Sequence, residues 1–170
     1  MSQIHLKTKQ LGVGLPEIMV SMLLLGVAVI GFAALQVRAL DSTNNAMFRT
    51  QAASIAQEFG ERMRMNPNGR ATYAGAWSTS DATADECIAG ECTPQKMAQF
   101  DMTTVSKLAQ DTLPNGQVAV LPCVARTNLC VYVAWNQTTA TKGIVAPHCA
   151  SDTDDAYVEG ADCIRLGAAL

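Results

Sequence analysis

Residues 18–37 read IMVSMLLLGVAVIGFAALQV, twenty positions without a charge and with only Ser21 and Gln36 plainly polar. At about 1.5 Å rise per residue, a helix of that length covers roughly 30 Å, the thickness of a bilayer's hydrocarbon core. The stretch is therefore long and apolar enough to cross a membrane. Lys7 and Lys9 precede it and Arg38 follows it. The two lysines favour an N-terminus held in the cytoplasm, which sends the remainder of the chain to the other side.

Working toward the C-terminus, no break signal separates this stretch from the residues after Arg38. Phe48, Ala52, Ile55, Phe59 and Met63 recur at spacings of four, three, four and four, which is one stripe of an amphipathic helix. Asn66-Pro67-Asn68-Gly69 stops it through proline and glycine. The spacing thus predicts one helix over residues 16–65, roughly 75 Å long. Its first half (about 16–37) suits lipid and its second half suits packing on a domain. Gly26 and Gly31 weaken the membrane half by up to ~1 kcal/mol each relative to alanine. They serve either to loosen the helix or to let neighbouring helices approach closely.

The remaining residues, 66–170, are predicted to fold as one small domain. Residues 70–92 show no period and read as a loop. Thr93 before Pro94 is a helix start, and Met97, Phe100, Val105 and Leu108 give a short amphipathic helix ending near Leu113. Pro114-Asn115-Gly116 then makes a turn into two strands, residues 118–123 and 129–135, which read as a hairpin. In the second strand Val131, Val133 and Trp135 share one face, and Cys130, Tyr132 and Ala134 the other. Shorter strands are expected near residues 143–145 and 163–166. The predicted fold class is α+β: a long helix against a small antiparallel sheet.

Charge and cysteine content narrow the function. The chain carries a formal −3, and residues 66–170 hold 11 acidic against six basic side chains. An acidic domain repels phosphate backbones, so no nucleic-acid partner is expected. All six cysteines, Cys87, Cys92, Cys123, Cys130, Cys149 and Cys163, lie in that region. An even number confined to one domain points to disulfides in an oxidising compartment. Zinc is disfavoured because the spacings of four, six and thirteen residues lack short knuckles and the domain has one histidine, His148. Asp152, Asp154, Asp155, Glu159 and Asp162 do not follow the order of a calcium-binding loop and read as a solvated acidic loop. No serine or cysteine comes with a recognisable base and orienting acid, so no catalysis, metal or cofactor is expected.

Glu17 decides what kind of membrane segment this is. A cleaved secretory signal has an apolar core of only about 7–15 residues. A plain anchor does not explain a carboxylate at the start of the apolar run, where a charge costs roughly 3 kcal/mol at bilayer depth. The surrounding residues, Gly12-Val13-Gly14-Leu15-Pro16-Glu17-Ile18-Met19-Val20, resemble the processing motif of prepilins. That resemblance implies a leader of residues 1–12, a cut by a prepilin peptidase after Gly12, and N-methylation of Val13. It also places a glutamate, Glu17, fifth in the mature chain. Loss of the leader takes Lys7 and Lys9 with it and leaves a net −5. Val13 departs from the family's usual phenylalanine. Pro16 replaces a threonine or isoleucine, which the first helical turn tolerates because that N–H lacks a partner anyway. The cut creates an ammonium at Val13, and a neighbour's ammonium pairing with Glu17 makes a carboxylate in the membrane tolerable.

Glu61-Arg62-Met63-Arg64-Met65-Asn66-Pro67 and Leu113-Pro114-Asn115-Gly116 narrow the resemblance to PilV-type minor pilins. Membership there implies a subunit of the type IV pilus priming and tip complex, joined to other minor pilins and the major pilin and carrying a large tip adhesin. It implies support of pilus assembly, adhesion and twitching motility. The implied location is the inner membrane, single-pass with residues 66–170 periplasmic, and the pilus after assembly. A type II secretion pseudopilin shares the same N-terminal signal, and a membrane-anchored adhesin or binding module is the rival from another class. Six cysteines leave connectivity open, and local pairs are the expectation: Cys87 with Cys92, Cys123 with Cys130, Cys149 with Cys163. The middle pair rests on the hairpin, which brings opposite positions to about 4.5–5.5 Å. The last would close an acidic loop like the disulfide-bounded C-terminal region of pilins.

Overall fold

The structure is a computed structural model, and it describes residue 12, residues 14–76, residue 87, residues 92–124 and residues 128–168. The chain divides into two compact units between Asn44 and Asn45.

Helix α1 runs from Leu15 to Met65 over 51 residues. In the first unit every residue of it is exposed, including Leu23, Leu24, Leu25, Ile30, Phe32 and Leu35. Its polar side chains turn inward on the helix itself: the Ser21 hydroxyl donates to the Glu17 carbonyl at 2.7 Å, and Thr43 to Ala39 at 2.8 Å. Such back-bonding satisfies a hydroxyl where water is absent. In the second unit the helix buries Ala52, Ile55, Ala56, Phe59, Gly60 and Met63, the predicted stripe, with Phe48 packed at its margin.

A 3₁₀ turn, Pro67–Gly69, ends α1 and leads into α2, Arg70–Tyr73, and β1, Gly75–Ala76. The predicted loop over residues 70–92 is therefore corrected at its start, and residues 77–86 and 88–91 lie outside the described residues. The reason is contact with later parts of the chain, which overrides weak local propensity. The Asn66 side chain donates to the Pro94 carbonyl at 2.7 Å, and Tyr73 is fully buried. Gly69 is required here, because a Cβ would collide with the Asn66 amide and the Pro94 carbonyl.

Helix α3, Pro94–Thr112, starts as expected with Thr93 as its cap, accepting from the Lys96 N–H at 3.3 Å. Its buried face is Ala98, Asp101, Met102, Val105, Ser106 and Ala109, so of the expected stripe Met97, Phe100, Val105 and Leu108 only Val105 is fully buried. The core takes the side with small residues and a paired carboxylate. Met97, Phe100 and Leu108 are only half-buried.

Strands β2, Gln117–Pro122, and β3, Leu129–Ala134, form the hairpin, with Val120 opposite Val131 and Val118 opposite Val133. With β1 and β6, Cys163–Ala168, they make an antiparallel sheet in the order β1-β2-β3-β6. No strand forms over residues 143–145, which are a bend. Strands β4, Thr139–Lys142, and β5, His148–Ala150, flank it and pair parallel to each other. A parallel pair with polar threonines leaves little alternation to read. The main sheet is covered on both faces. Val118, Val120, Val131, Val133 and Trp135 meet α1 and α3, whereas Ala119, Cys130, Tyr132 and Ala134 meet Ala140, Cys149 and Ala150. The sheet thus lies between a helical layer and the β4–β5 pair, which is why β3 is apolar at every position.

Candidate functional site

The first candidate region is the start of α1. Gly14 supplies the carbonyl that accepts from the Glu17 N–H at 3.0 Å, opening the helix at Leu15. Pro16 sits in the first turn, where its missing donor costs nothing. Glu17 is in the same turn, is exposed, and its carboxylate has no partner among the described residues. A negative group there is favoured by the positive end of the helix. Gly12 is exposed and outside the helix, and Val13 lies outside the described residues. The helix that follows is long and apolar enough to cross a membrane, with none of that window buried.

The second region locks the end of α1 to the domain. Arg62 donates to Glu58 at 2.7 Å and to Asp101 at 3.1 Å. The Tyr73 hydroxyl donates to the other Asp101 oxygen at 2.7 Å, and the Asn66 amide donates to the Tyr73 oxygen at 3.2 Å. Asp101 is buried yet fully bonded, which is the condition for holding a carboxylate in a core. Burial raises the Tyr73 hydroxyl well above the usual phenolic range, and the hydrogen bond to Asp101 adds to it. For Arg62 burial opposes the charge, but the bonds to Glu58 and Asp101 outweigh it and raise the pKa. The sequence reading passed over Asp101. Its signal was positional: an acid one turn from Val105 on the face that carries Ala98 and Ala109.

Asp155 forms the third region and corrects the solvated-loop reading. It is buried, adopts φ 57°, and accepts from the Val124 N–H at 2.6 Å and the Tyr132 hydroxyl at 2.9 Å. Lys142 and Arg165 pair with it at 2.6 and 3.3 Å. One carboxylate thereby ties β3, β4, β6 and the end of β2 together. Burial works against its charge, but Lys142, the Val124 N–H and Tyr132 outweigh burial and hold its pKa below the usual carboxylate range. Tyr132 is raised in turn, by burial first and by the bond to Asp155 second. Asp162 is also structural, accepting from the Asn136 amide at 2.8 Å. Asp152, Asp154 and Glu159 are exposed, as expected. Among the described residues no group of His, Cys, Asp or Glu is placed to hold a metal.

The cysteines pair locally. Cys87 joins Cys92, Cys123 joins Cys130 and Cys149 joins Cys163, with Cα separations of 5.1, 5.3 and 5.8 Å. The register corrects one reason given for the middle pair. Leu121, not Cys123, stands opposite Cys130, and Cys123 reaches it from beyond the end of β2, where its N–H donates to the Asn128 carbonyl at 3.0 Å.

A long apolar helix whose second half lies on a small antiparallel sheet is the architecture of the type IV pilin class. A family model described as Type IV pilin Tt1218, of the Tt1218-like family, matches residues 34–103, from the exposed part of α1 into α3. That match supports a type IV pilin-like family, and an N-terminal helix long and apolar enough to cross a membrane fits a membrane-anchored, pilus-associated protein. No curated protein and no solved structure matches it.

Proposed function

We propose that this chain is a minor pilin of the PilV type, made with a leader of residues 1–12, cut by a prepilin peptidase after Gly12 and N-methylated at Val13. Residues 13–65 are the N-terminal segment that carries helix α1, and residues 66–170 form its periplasmic, disulfide-bonded domain. The mature chain joins other minor pilins and the major pilin in the complex that primes the pilus and holds a large tip adhesin. By that route it supports adhesion and twitching motility.

The observation that carries this reading is Glu17, exposed in the first turn of an unburied apolar helix and lacking a partner among the described residues. In lipid such a carboxylate costs roughly 3 kcal/mol, and the Val13 ammonium of a neighbouring subunit relieves that cost. Without assembly the charge has no use. N-terminal sequencing with mass spectrometry of the membrane protein is expected to find methylated Val13 first. A chain that still begins at Met1, or one cut after Val37-Arg38-Ala39 as a secretory signal would be and so beginning at Leu40, defeats the proposal. Deletion of the gene is expected to reduce surface pili, whereas normal piliation with failed protein secretion identifies a type II secretion pseudopilin instead.

A further inference from the structure

Among the described residues, strand β6 is paired on one side only, as the last strand in the order β1-β2-β3-β6. The Trp135 N–H donates to the Asp162 carbonyl at 3.0 Å, and in the same alternation Ile164, Leu166 and Ala168 face Val133, Val131 and Leu129. The backbone groups of Cys163, Arg165 and Gly167 therefore point out of the sheet. The chain closes part of this edge itself, because the Arg165 N–H donates to the Tyr157 hydroxyl at 3.0 Å. Beyond that bond no other hydrogen bond caps it among the described residues. Gly167 is exposed, and a Cβ built on it meets no atom within 4 Å.

A groove of about 490 Å³ lies beside this open end, with Ser54, Gln57, Glu61 and Arg64 of α1 on one side and Leu166 and Gly167 on the other. Leu166 is only half-buried there and touches the core without being covered. An outward carbonyl at Arg165, an outward N–H and carbonyl at Gly167, and a half-covered Leu166 between them make a pattern with the two-residue period of a strand. Only an extended backbone satisfies all of it. Glu61 and Arg64 pair with each other at 2.8 Å and Glu58, which also lines the groove, pairs with Arg62 at 2.7 Å, so each charge of the wall is met within α1 and the groove suits an uncharged side chain.

We propose that the open half of the β6 edge receives an extended segment of a neighbouring pilin subunit, which adds a strand to the sheet and lays one uncharged side chain in the groove beside α1. This proposal rests on the pilin reading, and it adds a second intersubunit contact, in the folded domain, to the one expected at Glu17. Main-chain bonds supply its affinity.

Gly167→Pro is the direct probe. Its ring removes the outward N–H, which the β3 ladder does not use, and proline is tolerated on an edge strand in that orientation. Wild type, Gly167→Ala and Gly167→Pro are expressed as full-length chains in a strain lacking the gene, and the chain in sheared pili is measured relative to the membrane pool. Gly167→Pro is expected to lower incorporation by up to about tenfold, the loss of one main-chain bond. Gly167→Ala should stay within about twofold of wild type by the same measure. Wild-type incorporation of Gly167→Pro, or an equal loss in both variants, overturns the proposal. Hydrogen exchange of the wild-type chain decides the matter even if Gly167→Pro misfolds. The Gly167 amide should be protected in assembled pili and fast in the detergent-solubilised subunit, and equal rates overturn the site. Absence of the wild-type chain from pili defeats the pilin reading, and this site with it.

Discussion

Residues 15–44 and 45–65 belong to one helix but are written for two different solvents. The first stretch exposes leucine, isoleucine, valine and phenylalanine on all sides, which water would not tolerate as a contiguous surface. The second confines its apolar residues to one stripe and sets Glu58, Glu61, Arg62 and Arg64 around it, in ion pairs of 2.7 to 3.1 Å. Helical propensity alone does not hold either stretch, because a helix in water draws most of its stability from what covers its apolar face. Lipid or neighbouring helices must cover the first, and the chain's own sheet covers the second. The domain's stability should therefore be insensitive to changes in the first stretch and sensitive to changes in the second.

The largest expected effect breaks the second stretch. Phe59 is fully buried and meets Tyr73 edge-on at 5.8 Å. Phe59→Ala is expected to destabilise the domain by about 3–5 kcal/mol, the usual cost of deleting a core aromatic. Phe32→Ala, in the exposed stretch, should leave the thermal unfolding midpoint of the detergent-solubilised chain where it is. Equal losses in the two variants would mean that the helix does not divide its work as described.

A somewhat smaller effect is expected at Asp155, on the far side of the sheet. Asp155→Asn should cost ~3 kcal/mol, because it leaves the half-buried Lys142 and Arg165 without their shared anion. The same residue gives the domain an acid limit. Its folded pKa lies below the unfolded value of about 3.9, so its contribution is complete above that pH and is lost as pH falls through the folded value. Tyr73 and Tyr132 act at the other end. Their folded pKa values are raised, so their contribution is complete below the unfolded value of about 10 and is lost as pH rises through the folded values. Chemical denaturation across pH should show wild type losing stability below about pH 4, with Asp155→Asn losing less over the same range. A variant as acid-sensitive as wild type would assign the limit to other carboxylates.

What the sequence made legible follows the same division. The helix was readable from end to end, because a charge-free run and a spacing of three and four are local patterns. The hairpin was readable because its valines alternate beside a turn. The face of α3 was not, since Asp101 becomes a core residue only through Arg62 and Tyr73, 39 and 28 residues away. Asp155 was hidden in the same way among four other acids. Tyr132 offered the one clue: a phenol on a strand face otherwise made of Cys130 and Ala134 requires a buried partner. Strands β4 and β5 were missed because their parallel pairing leaves no alternation in Thr139-Ala140-Thr141-Lys142. At the N-terminus the situation is reversed. The spacing from Gly12 singles out Glu17 in the sequence, while its proposed partner belongs to another subunit and so lies in no contact within this chain.

Glu17→Ala should have the smallest effect on the fold and the sharpest effect on assembly. The side chain is exposed and has no partner among the described residues, so its removal should leave the domain's unfolding midpoint unchanged. The Ser21 hydroxyl bonds the backbone carbonyl of residue 17, not the carboxylate, and alanine keeps that bond. A plain membrane anchor predicts a gain, because alanine removes a charge costing roughly 3 kcal/mol at bilayer depth and leaves function intact. Pairing with the Val13 ammonium of a neighbour predicts a loss, because the contact across subunits disappears while leader, span and domain persist. The two outcomes separate in a strain lacking the gene, complemented with wild type or Glu17→Ala, by counting surface pili, scoring twitching and sequencing the N-terminus. A variant that is processed at Gly12, sits in the membrane and yet restores few pili is the expected result. Full piliation with the variant would return Glu17 to the interface of an ordinary anchor, held by headgroup water.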